Sequence, residues 1–201
     1  MLDKNYWKNR WQTGATGWDA GEATTPIREF VDYLVSKKTD KNIRILIPGA
    51  GSGHEAIYFY KNGFHNITVC DWAEEALAKL KMQLPELTDQ QLVVSDFFDL
   101  NGVFDMIIEQ TFFCAINPDL RPQYARKCFE LLDTEGGIFG VLFGKHFDAQ
   151  GPPFGGTKEE YLGYFEPYFD IKNMDKCRNS IAPRMDSELW IHLEKGNAQQ
   201  K

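Results

Sequence analysis

The sequence is poor in cysteine and lacks long apolar runs, and both absences limit what the chain can be. Its four cysteines are far apart with no C-x-x-C pair, which argues against a zinc site or a disulfide framework and predicts reduced thiols. No run of about 18 apolar residues is present, so no membrane-spanning helix is predicted. The opening residues soon become charged and aromatic, which predicts no signal peptide. We therefore expect a cytoplasmic protein with no membrane association and no metal site.

Positive charge is also scarce. Lys and Arg number 22 against 29 Asp and Glu, which gives a formal net charge of −7. A nucleic-acid surface needs clustered Lys and Arg, and Lys37-Lys38 is only an isolated pair. We expect no nucleic-acid partner, a small-molecule substrate and, by default, a monomer. The 201 residues show no repeat or linker and suit a single domain, 1–201.

Continuous hydrophobic runs alternate with helical patterns through most of the chain. Such runs are typical of parallel strands that are covered on both faces. Strands are predicted at 43–47, 66–70, 91–94, 103–109 and 137–143. The helices between and after them are predicted at 53–63, 73–84 and 117–132. This alternation predicts an α/β fold, Rossmann-like and doubly wound, with a mostly parallel sheet.

The two ends of the chain depart from this alternation. The first 36 residues form a predicted N-terminal helical lid segment, with helices at 3–12 and 25–36 joined by a glycine-rich connection. The α/β core is predicted at 43–195. It ends with a helix at 157–166 and strands at 168–175 and 187–194, whose closeness predicts an antiparallel C-terminal strand and seven strands in all. Residues 196–201 are predicted to be a disordered tail.

A strand followed by a turn with three alternate glycines is the most informative feature. Gly49, Gly51 and Gly53 follow the apolar run Ile45-Leu46-Ile47-Pro48, and a helix is expected to begin at the third. Glycine permits positive φ and lets a ligand approach the backbone. Strand, turn and helix start form one half of a nucleotide-binding crevice. Asp71 ends the next strand, about 20 residues on, where ribose hydroxyls would lie.

The spacing of the turn favours S-adenosylmethionine over a dinucleotide. The last position of a dinucleotide fingerprint must be small, but counting from Gly49 it is His54. Asp96-Phe97 follows the third strand, where a carboxylate can accept from the adenine amino group beside an aromatic ring. Each element alone has another interpretation, since Asp71 and Asp96 could simply cap helices. Together at three successive strand ends they favour a nucleoside site.

The same features, with others in a fixed order, resemble the thiopurine S-methyltransferase superfamily, in particular its thiol and halide methyltransferase branch. The matching residues are Trp7, Trp11, Gly14 to Trp18, Ile47 to Glu55, Asp71, Asp96 to Phe98, Thr111 to Ile116, Arg121, Tyr124, Ala125 and Gly151 to Phe154. The resemblance covers nearly the whole chain. It implies a class I methyltransferase that uses S-adenosyl-L-methionine and releases S-adenosyl-L-homocysteine.

The resemblance also implies roles for individual residues. The residues that it assigns to the cofactor are Trp7, Trp11, Trp18, Gly49, Gly51, Asp71, Trp72, Asp96, Phe97 and Glu109. In this assignment Trp7, Trp11 and Trp18 close over the cofactor, and Gly49 and Gly51 lie under its methionine portion. Asp71 binds the ribose hydroxyls, Trp72 lies beside the adenine, and Asp96 and Phe97 hold the base. Glu109 stands where many members have Asp.

The acceptor side is predicted from the same resemblance. Arg121 is the candidate catalytic residue, and Phe112, Phe113 and Phe154 are candidates for the substrate pocket. Methyl transfer from a sulfonium mainly needs alignment and exclusion of water, so no side chain is strictly required as a base. We expect transfer to a small soft nucleophile such as a thiol, thiopurine or halide. The alternatives are a nicotinamide-dependent oxidoreductase and a non-catalytic protein that binds S-adenosylmethionine.

Overall fold

Residues 2–148 and 151–196 are described by a computed structural model and fall into two compact units that divide after Leu100. The elements of the first unit are α1 (Lys4–Gln12), α2 (Thr25–Ser36), β1 (Ile45–Pro48), α3 (His54–Lys61), β2 (Ile67–Asp71), α4 (Glu74–Gln83) and β3 (Leu92–Val94). Every residue of β1 is buried, as expected for a strand covered on both faces. β1 pairs with β2 and β2 with β3, both in parallel.

The two helices of the lid segment begin at signals visible in the sequence. Asp3 precedes α1, and its side chain accepts a hydrogen bond from the Tyr6 backbone N at 2.9 Å. α2 has a proline in its first turn, and it buries Ile27, Val31 and Leu34 along one face. The predicted bounds of both helices are confirmed to within a residue.

The second unit carries the remaining strands. Its elements are β4 (Phe104–Gln110), α5 (Arg121–Leu131), β5 (Leu132–Phe143), α6 (Lys158–Phe165), β6 (Phe169–Lys176) and β7 (Glu188–Lys195). β4 and β5 pair in parallel, whereas β7 runs antiparallel to both β5 and β6. The described strands have the order β3-β2-β1-β4-β5-β7-β6 in one sheet. Six of them are parallel and β7 is antiparallel, which confirms the predicted Rossmann-like fold class.

Most boundaries lie within two residues of the predictions, two differ by four or five residues, and the predicted tail begins too early. The helix expected at 117–132 begins as an α-helix at Arg121, because Pro118–Leu120 forms a separate 3-10 turn. β5 begins five residues earlier than predicted, where a register irregularity against β4 accommodates the polar residues 133–135. The Gly196 N donates to the Tyr168 O at 3.0 Å, so the disordered-tail prediction is wrong for Gly196. Residues 197–201 lie outside the described residues.

All four cysteine thiols are free and buried. Desolvation by burial raises the pKa of the Cys70 and Cys114 thiols to about 12, and it raises that of Cys128 well above its usual range. The fourth, Cys177, is also buried. Within the described part of the chain, every helix is too short or too polar to cross a lipid bilayer.

Candidate active site

The glycine turn after β1 has the backbone geometry that its alternating glycines predict. Gly49, Gly51 and Gly53 have φ values of 63°, 53° and 73°, all in the left-handed region that disfavours side chains. A Cβ on Gly53 would also lie 2.5 Å from Leu80 Cδ1, so a larger residue there would displace the Leu80 side chain of α4. The Gly49 N donates to the Cys70 O at 2.7 Å, which holds the start of the turn against the end of β2.

Asp71 lies beside this turn, as the sequence predicts. Its Oδ2 accepts from the Gly51 N at 3.3 Å, and its Oδ1 accepts from the Ala73 N at 2.8 Å. Burial raises the pKa of Asp71 to about 6, although these backbone hydrogen bonds oppose the shift. The carboxylate is therefore fixed where the glycine turn passes the end of β2. Trp72, which follows it, is half-buried.

Asp96 and Phe97 follow β3, but their contacts differ from those of a base-binding pair. Asp96 Oδ1 accepts from the Phe98 N at 2.9 Å and caps the 3-10 turn Phe97–Asp99. Phe97 is only 3% exposed, and its ring meets the Phe98 ring edge-on at 5.5 Å. These contacts favour capping and core packing, and the predicted adenine contacts of both residues stay predictions.

The three N-terminal tryptophans form one cluster within the first unit. The Trp18 ring contacts the rings of Trp7 and Trp11 edge-on, with centroids 5.6 and 6.1 Å apart. All three side chains are half-buried. Trp18 Nε1 lies 4.0 Å from the position that a Cβ on Gly51 would occupy. The cluster therefore lies against the glycine turn.

A polar cluster beside these tryptophans was missed in the sequence. Asp19 accepts hydrogen bonds from Ser52 Oγ and, at 2.8 Å, from the Gly21 N. Its Oδ1 also lies 2.7 Å from His54 Nε2. Desolvation raises the pKa of Asp19, but the hydrogen bonds from Ser52, Gly21 and His54 outweigh it and lower the pKa to about 2. The signal in the sequence was His54 itself, a large residue where the dinucleotide fingerprint needs a small one.

In the second unit, Glu109 is fully buried at the end of β4. Its Oε1 accepts from the backbone N of Phe112 at 2.8 Å and of Phe113 at 2.9 Å, and its Oε2 accepts from the Tyr124 hydroxyl at 2.7 Å. Desolvation raises the pKa of Glu109 to about 7 against these bonds. This geometry favours a role in holding the turn after β4, which begins with Thr111 at a φ of 62°. The predicted cofactor contact of Glu109 stays a prediction.

Arg121, the candidate catalytic residue, is also buried, with 1% of its side chain exposed. Its Nη2 donates to the Phe154 O and its Nη1 to the Gly155 O, both at 3.0 Å. Nη1 also lies 3.3 Å from Glu160 Oε1. The guanidinium thus holds the loop before α6 through two backbone carbonyls, which is the arrangement of a positioning residue.

The phenylalanines predicted for the substrate pocket differ in their surroundings. Phe113 is 1% exposed, and its ring packs edge-on against Tyr124 and Tyr161 with centroids 5.2 Å away in each case. Those contacts are typical of a core residue. Phe112 and Phe154 are half-buried, and the Phe154 N donates to the Cys114 O at 2.7 Å. The turn after β4 and the loop at 154–155 are therefore held together.

Comparison with known proteins identifies the chain. Residues 2–190 match the family described as thiopurine S-methyltransferase. The chain belongs to the thiopurine S-methyltransferase family. As a member, it is an S-adenosylmethionine-dependent methyltransferase, and the nicotinamide-dependent alternative is set aside. The resemblance predicted from the motifs is confirmed.

Individual proteins show the same similarity. A protein of Arabidopsis thaliana named probable thiol methyltransferase 2 is 31% identical over 187 residues, which are 90% of this chain and 81% of the relative. Thiocyanate methyltransferase 1 of Brassica oleracea is 28% identical over 201 residues, covering 98% and 87% of the two chains. Thiopurine S-methyltransferase of Psychrobacter cryohalolentis is 21% identical over 94% of this chain and 98% of the relative.

Solved structures confirm the fold of this family member. The 1,6-didemethyltoxoflavin-N1-methyltransferase of Burkholderia thailandensis superposes with a TM-score of 0.74 at 18% identity, over 98% of this chain and 88% of that one. Magnesium protoporphyrin IX methyltransferase of Synechocystis PCC 6803 gives a TM-score of 0.72 at 14% identity, over 96% and 100%. At such identities the likeness concerns the fold alone.

Proposed function

We propose that the protein transfers the methyl group of S-adenosylmethionine to a small thiol or a similarly soft anion such as thiocyanate. The observation that carries this proposal is the bonding of three titratable side chains in the second unit. Glu109, Arg121 and Tyr161 each form hydrogen bonds within the protein itself. An acceptor that is already anionic fits such a site, because it needs no base.

Glu109 illustrates the point. A pKa of about 7 would suit a general base, but the carboxylate is fully buried and both of its oxygens accept hydrogen bonds from the chain. Desolvation also raises the pKa of Tyr161, whose hydroxyl donates to the Phe143 O at 2.7 Å. Deprotonation of an alcohol or amine acceptor therefore finds no support in these residues.

A thiol acceptor needs less help from the protein to lose its proton than an alcohol or amine does. Its pKa near 8.5 leaves a few per cent as thiolate at neutral pH, and thiocyanate is anionic without any proton transfer. The reaction joins acceptor sulfur to the methyl carbon while the bond from that carbon to the cofactor sulfur breaks and its electron pair stays on the cofactor. The relatives named for thiol and thiocyanate methylation, at 31% and 28% identity, support the same acceptor class.

We further propose cofactor roles for the residues of the first unit. Asp71 binds the ribose hydroxyls beside the glycine turn, where its carboxylate is held by the Gly51 N. Trp72 lies beside the adenine, and Asp96 and Phe97 complete the base site. Trp7, Trp11 and Trp18 cover the cofactor, and Gly49 and Gly51 leave room for its methionine portion.

The assembly and compartment are proposed on composition. The net charge of −7 and a sequence pI of about 5.1 argue against a nucleic-acid partner. Four free, buried cysteines suit the reducing cytoplasm. A small-molecule acceptor, a single domain and a monomeric protein are the simplest arrangement.

A methyl-transfer assay with matched acceptors tests the proposal. With S-adenosylmethionine labelled in its methyl group, we expect transfer to thiophenol and to thiocyanate but not to phenol, the oxygen analogue. With an aliphatic thiol, the rate should rise from pH 6 to pH 8 as the thiolate fraction increases, about tenfold per unit below the thiol pKa. With thiocyanate, which does not titrate in this range, the rate should lack that rise.

Two outcomes would contradict the proposal. Faster transfer to phenols or amines than to thiols would show that the protein supplies a base. Binding of S-adenosylhomocysteine without turnover of any acceptor, thiopurines and halides included, would instead favour a non-catalytic binding protein.

A further inference from the structure

His54 has no task in the cofactor assignment, although it is the residue that argued against a dinucleotide. The structure places its Nε2 2.7 Å from Asp19 Oδ1. Asp19 directly follows Trp18, the central ring of the tryptophan cluster. His54 begins α3, immediately after the glycine turn. The contact between Asp19 and His54 thus joins the lid segment to the end of the glycine turn, on which the cofactor is proposed to lie.

The contact is part of a denser cluster. Ser52, inside the glycine turn, donates its hydroxyl to Asp19 Oδ2. Lys79 of α4 donates to Ser52 Oγ at 3.0 Å, and its Nζ lies 3.7 Å from Asp19 Oδ2. The Gly21 N donates to the other carboxylate oxygen at 2.8 Å. One carboxylate is therefore bonded from its own loop, from the glycine turn and from α3, with α4 close by.

The environment makes these bonds stronger than ordinary surface contacts. The side chains of Asp19 and His54 are only 18% and 20% exposed, so water screens their interaction less than that of an exposed pair. Hydrogen bonds that involve a charged group are also stronger than neutral ones. By comparison, Glu22 and Arg28 nearby in the same segment form an ion pair at 2.9 Å with 69% and 42% exposure.

The position of Asp19 couples the cluster to the tryptophans. Trp18 packs against Trp7 and Trp11, and its Nε1 lies 4.0 Å from a Cβ position on Gly51. A separate hydrogen bond joins α1 to α4, where Gln12 Nε2 donates to Glu75 Oε1 at 2.8 Å. The Asp19 cluster is a second, partly buried connection.

We propose that Asp19 is a positioning residue that latches the tryptophan segment, residues 3–21, onto the glycine turn through His54, Ser52 and Lys79, and so retains the bound cofactor. This inference rests on the proposed function, because the retained ligand is S-adenosylmethionine or its product. If tight binding requires the latched segment, the apparent affinity is reduced by the fraction of molecules in which the segment is open. Loss of the latch then acts mainly on cofactor dissociation.

Substitutions at both ends of the contact test the latch. We expect Asp19→Asn and His54→Ala each to weaken S-adenosylhomocysteine binding about tenfold, mostly through faster dissociation, since each loses a charge-assisted hydrogen bond. His54→Gln should keep most of the affinity, because its amide nitrogen can still donate to Asp19. Glu22→Gln, which removes an equal charge from an exposed side chain directly after this segment, should bind like the wild type. Calorimetry and stopped-flow dissociation give these values.

Hydrogen exchange in the free proteins gives a readout that does not depend on the cofactor. The amides of α1 should exchange faster in Asp19→Asn and His54→Ala than in the wild type and Glu22→Gln, while those of β1 and β2 stay unchanged. A double mutant that is no worse than either single mutant would show that both residues act through one contact.

The possible failures are distinguishable. Wild-type affinity and wild-type exchange in both variants would overturn the latch. A lower melting temperature with unchanged affinity of the folded protein would also overturn it, because the contact would then be merely structural. If the wild type itself fails to bind S-adenosylhomocysteine, the proposed function is wrong, and faster exchange of α1 in the variants would still establish a latch without that ligand.

Discussion

Two carboxylates show how much the surroundings of a single residue matter in this chain. Asp71 and Glu109 both end strands, both accept backbone hydrogen bonds, and burial raises the pKa of both, to about 6 and about 7. Glu109 has no exposed surface, whereas Asp71 is half-buried beside the glycine turn. Glu109 is therefore suited to holding the chain, and Asp71 is suited to receiving a ligand.

Substitution of Asp71 tests its ligand role. The Asp71→Asn variant should bind S-adenosylhomocysteine about 10- to 100-fold more weakly, because a hydrogen bond to a charged group contributes about 1.5–3 kcal/mol. Wild-type affinity should also fall as the pH is lowered, by about tenfold between pH 7 and pH 5, since the ribose hydroxyls favour the ionised carboxylate, whose pKa is about 6. Calorimetry at several pH values measures both effects.

The matched control for this substitution is Asp89→Asn, which changes a 98% exposed carboxylate of the same unit. Its affinity and its pH dependence should equal those of the wild type. If the affinity of Asp71→Asn for S-adenosylhomocysteine still fell between pH 7 and pH 5, a group other than Asp71 would be responsible for that fall.

Glu109 leads to a prediction about stability. Its pKa in the folded protein is raised from an ordinary value of 4.5 to about 7, so the folded protein binds more protons than the unfolded chain between these values. Raising the pH through this window should therefore lower the free energy of unfolding, by up to about 3 kcal/mol from this group. In the Glu109→Gln variant, the free energy of unfolding should change less with pH between pH 5 and pH 8.

The glutamine variant can keep the three bonds of the turn. Its amide oxygen can accept from the Phe112 and Phe113 N, while its amide nitrogen donates to the Tyr124 hydroxyl oxygen. Urea unfolding at several pH values measures the effect, with the exposed Glu135→Gln as control. If the free energy of unfolding of Glu109→Gln changed with pH as steeply as that of the wild type, Glu109 would not be the source of the pH dependence.

The turn after β4, the start of α5 and the loop before α6 meet around one guanidinium. Arg121 donates to the Phe154 and Gly155 carbonyls, and the Phe154 N donates to the Cys114 O. Arginine suits this place because its planar group offers several donors in fixed directions. The element that carries the predicted pocket residue Phe154 is thus positioned from α5.

Replacement of Arg121 should release this loop. We expect Arg121→Met to lower the free energy of unfolding by about 2–3 kcal/mol, because two carbonyl partners lose charged donors. Arg121→Lys should recover only part of this loss, since a single ammonium cannot reproduce the two-carbonyl geometry. Arg126→Met is the control on the same helix, because Arg126 is 69% exposed and forms a surface ion pair with Glu130 at 2.9 Å.

Kinetics separate the positioning role of Arg121 from the predicted catalytic one. A positioning residue should raise the KM for the acceptor and lower the melting temperature together, with smaller changes for the cofactor. A variant that lost turnover with an unchanged melting temperature and unchanged KM would instead support direct contact with the acceptor.

For the molecule as a whole, local sequence patterns predicted the fold well, but they did not predict the hydrogen-bond partners of the buried polar side chains. The alternation of strands and helices and the glycine turn follow from apolar runs and from φ values that only glycine adopts readily. The Ser52 and His54 partners of Asp19 are 33 and 35 residues away in sequence, and the Gly155 partner of Arg121 is 34 residues away. No local pattern encodes such contacts, because they depend on how the elements pack.

Burial of the four cysteines has a consequence for a protein that handles thiols. An exposed protein thiolate could attack a disulfide formed from the acceptor thiol, giving a mixed disulfide and releasing one acceptor thiolate, and it would also compete for the methyl group. All four thiols are withdrawn from solvent, and for Cys70, Cys114 and Cys128 burial also keeps the sulfur protonated. Burial therefore withdraws the cysteine sulfurs of this chain both from methyl transfer and from disulfide exchange.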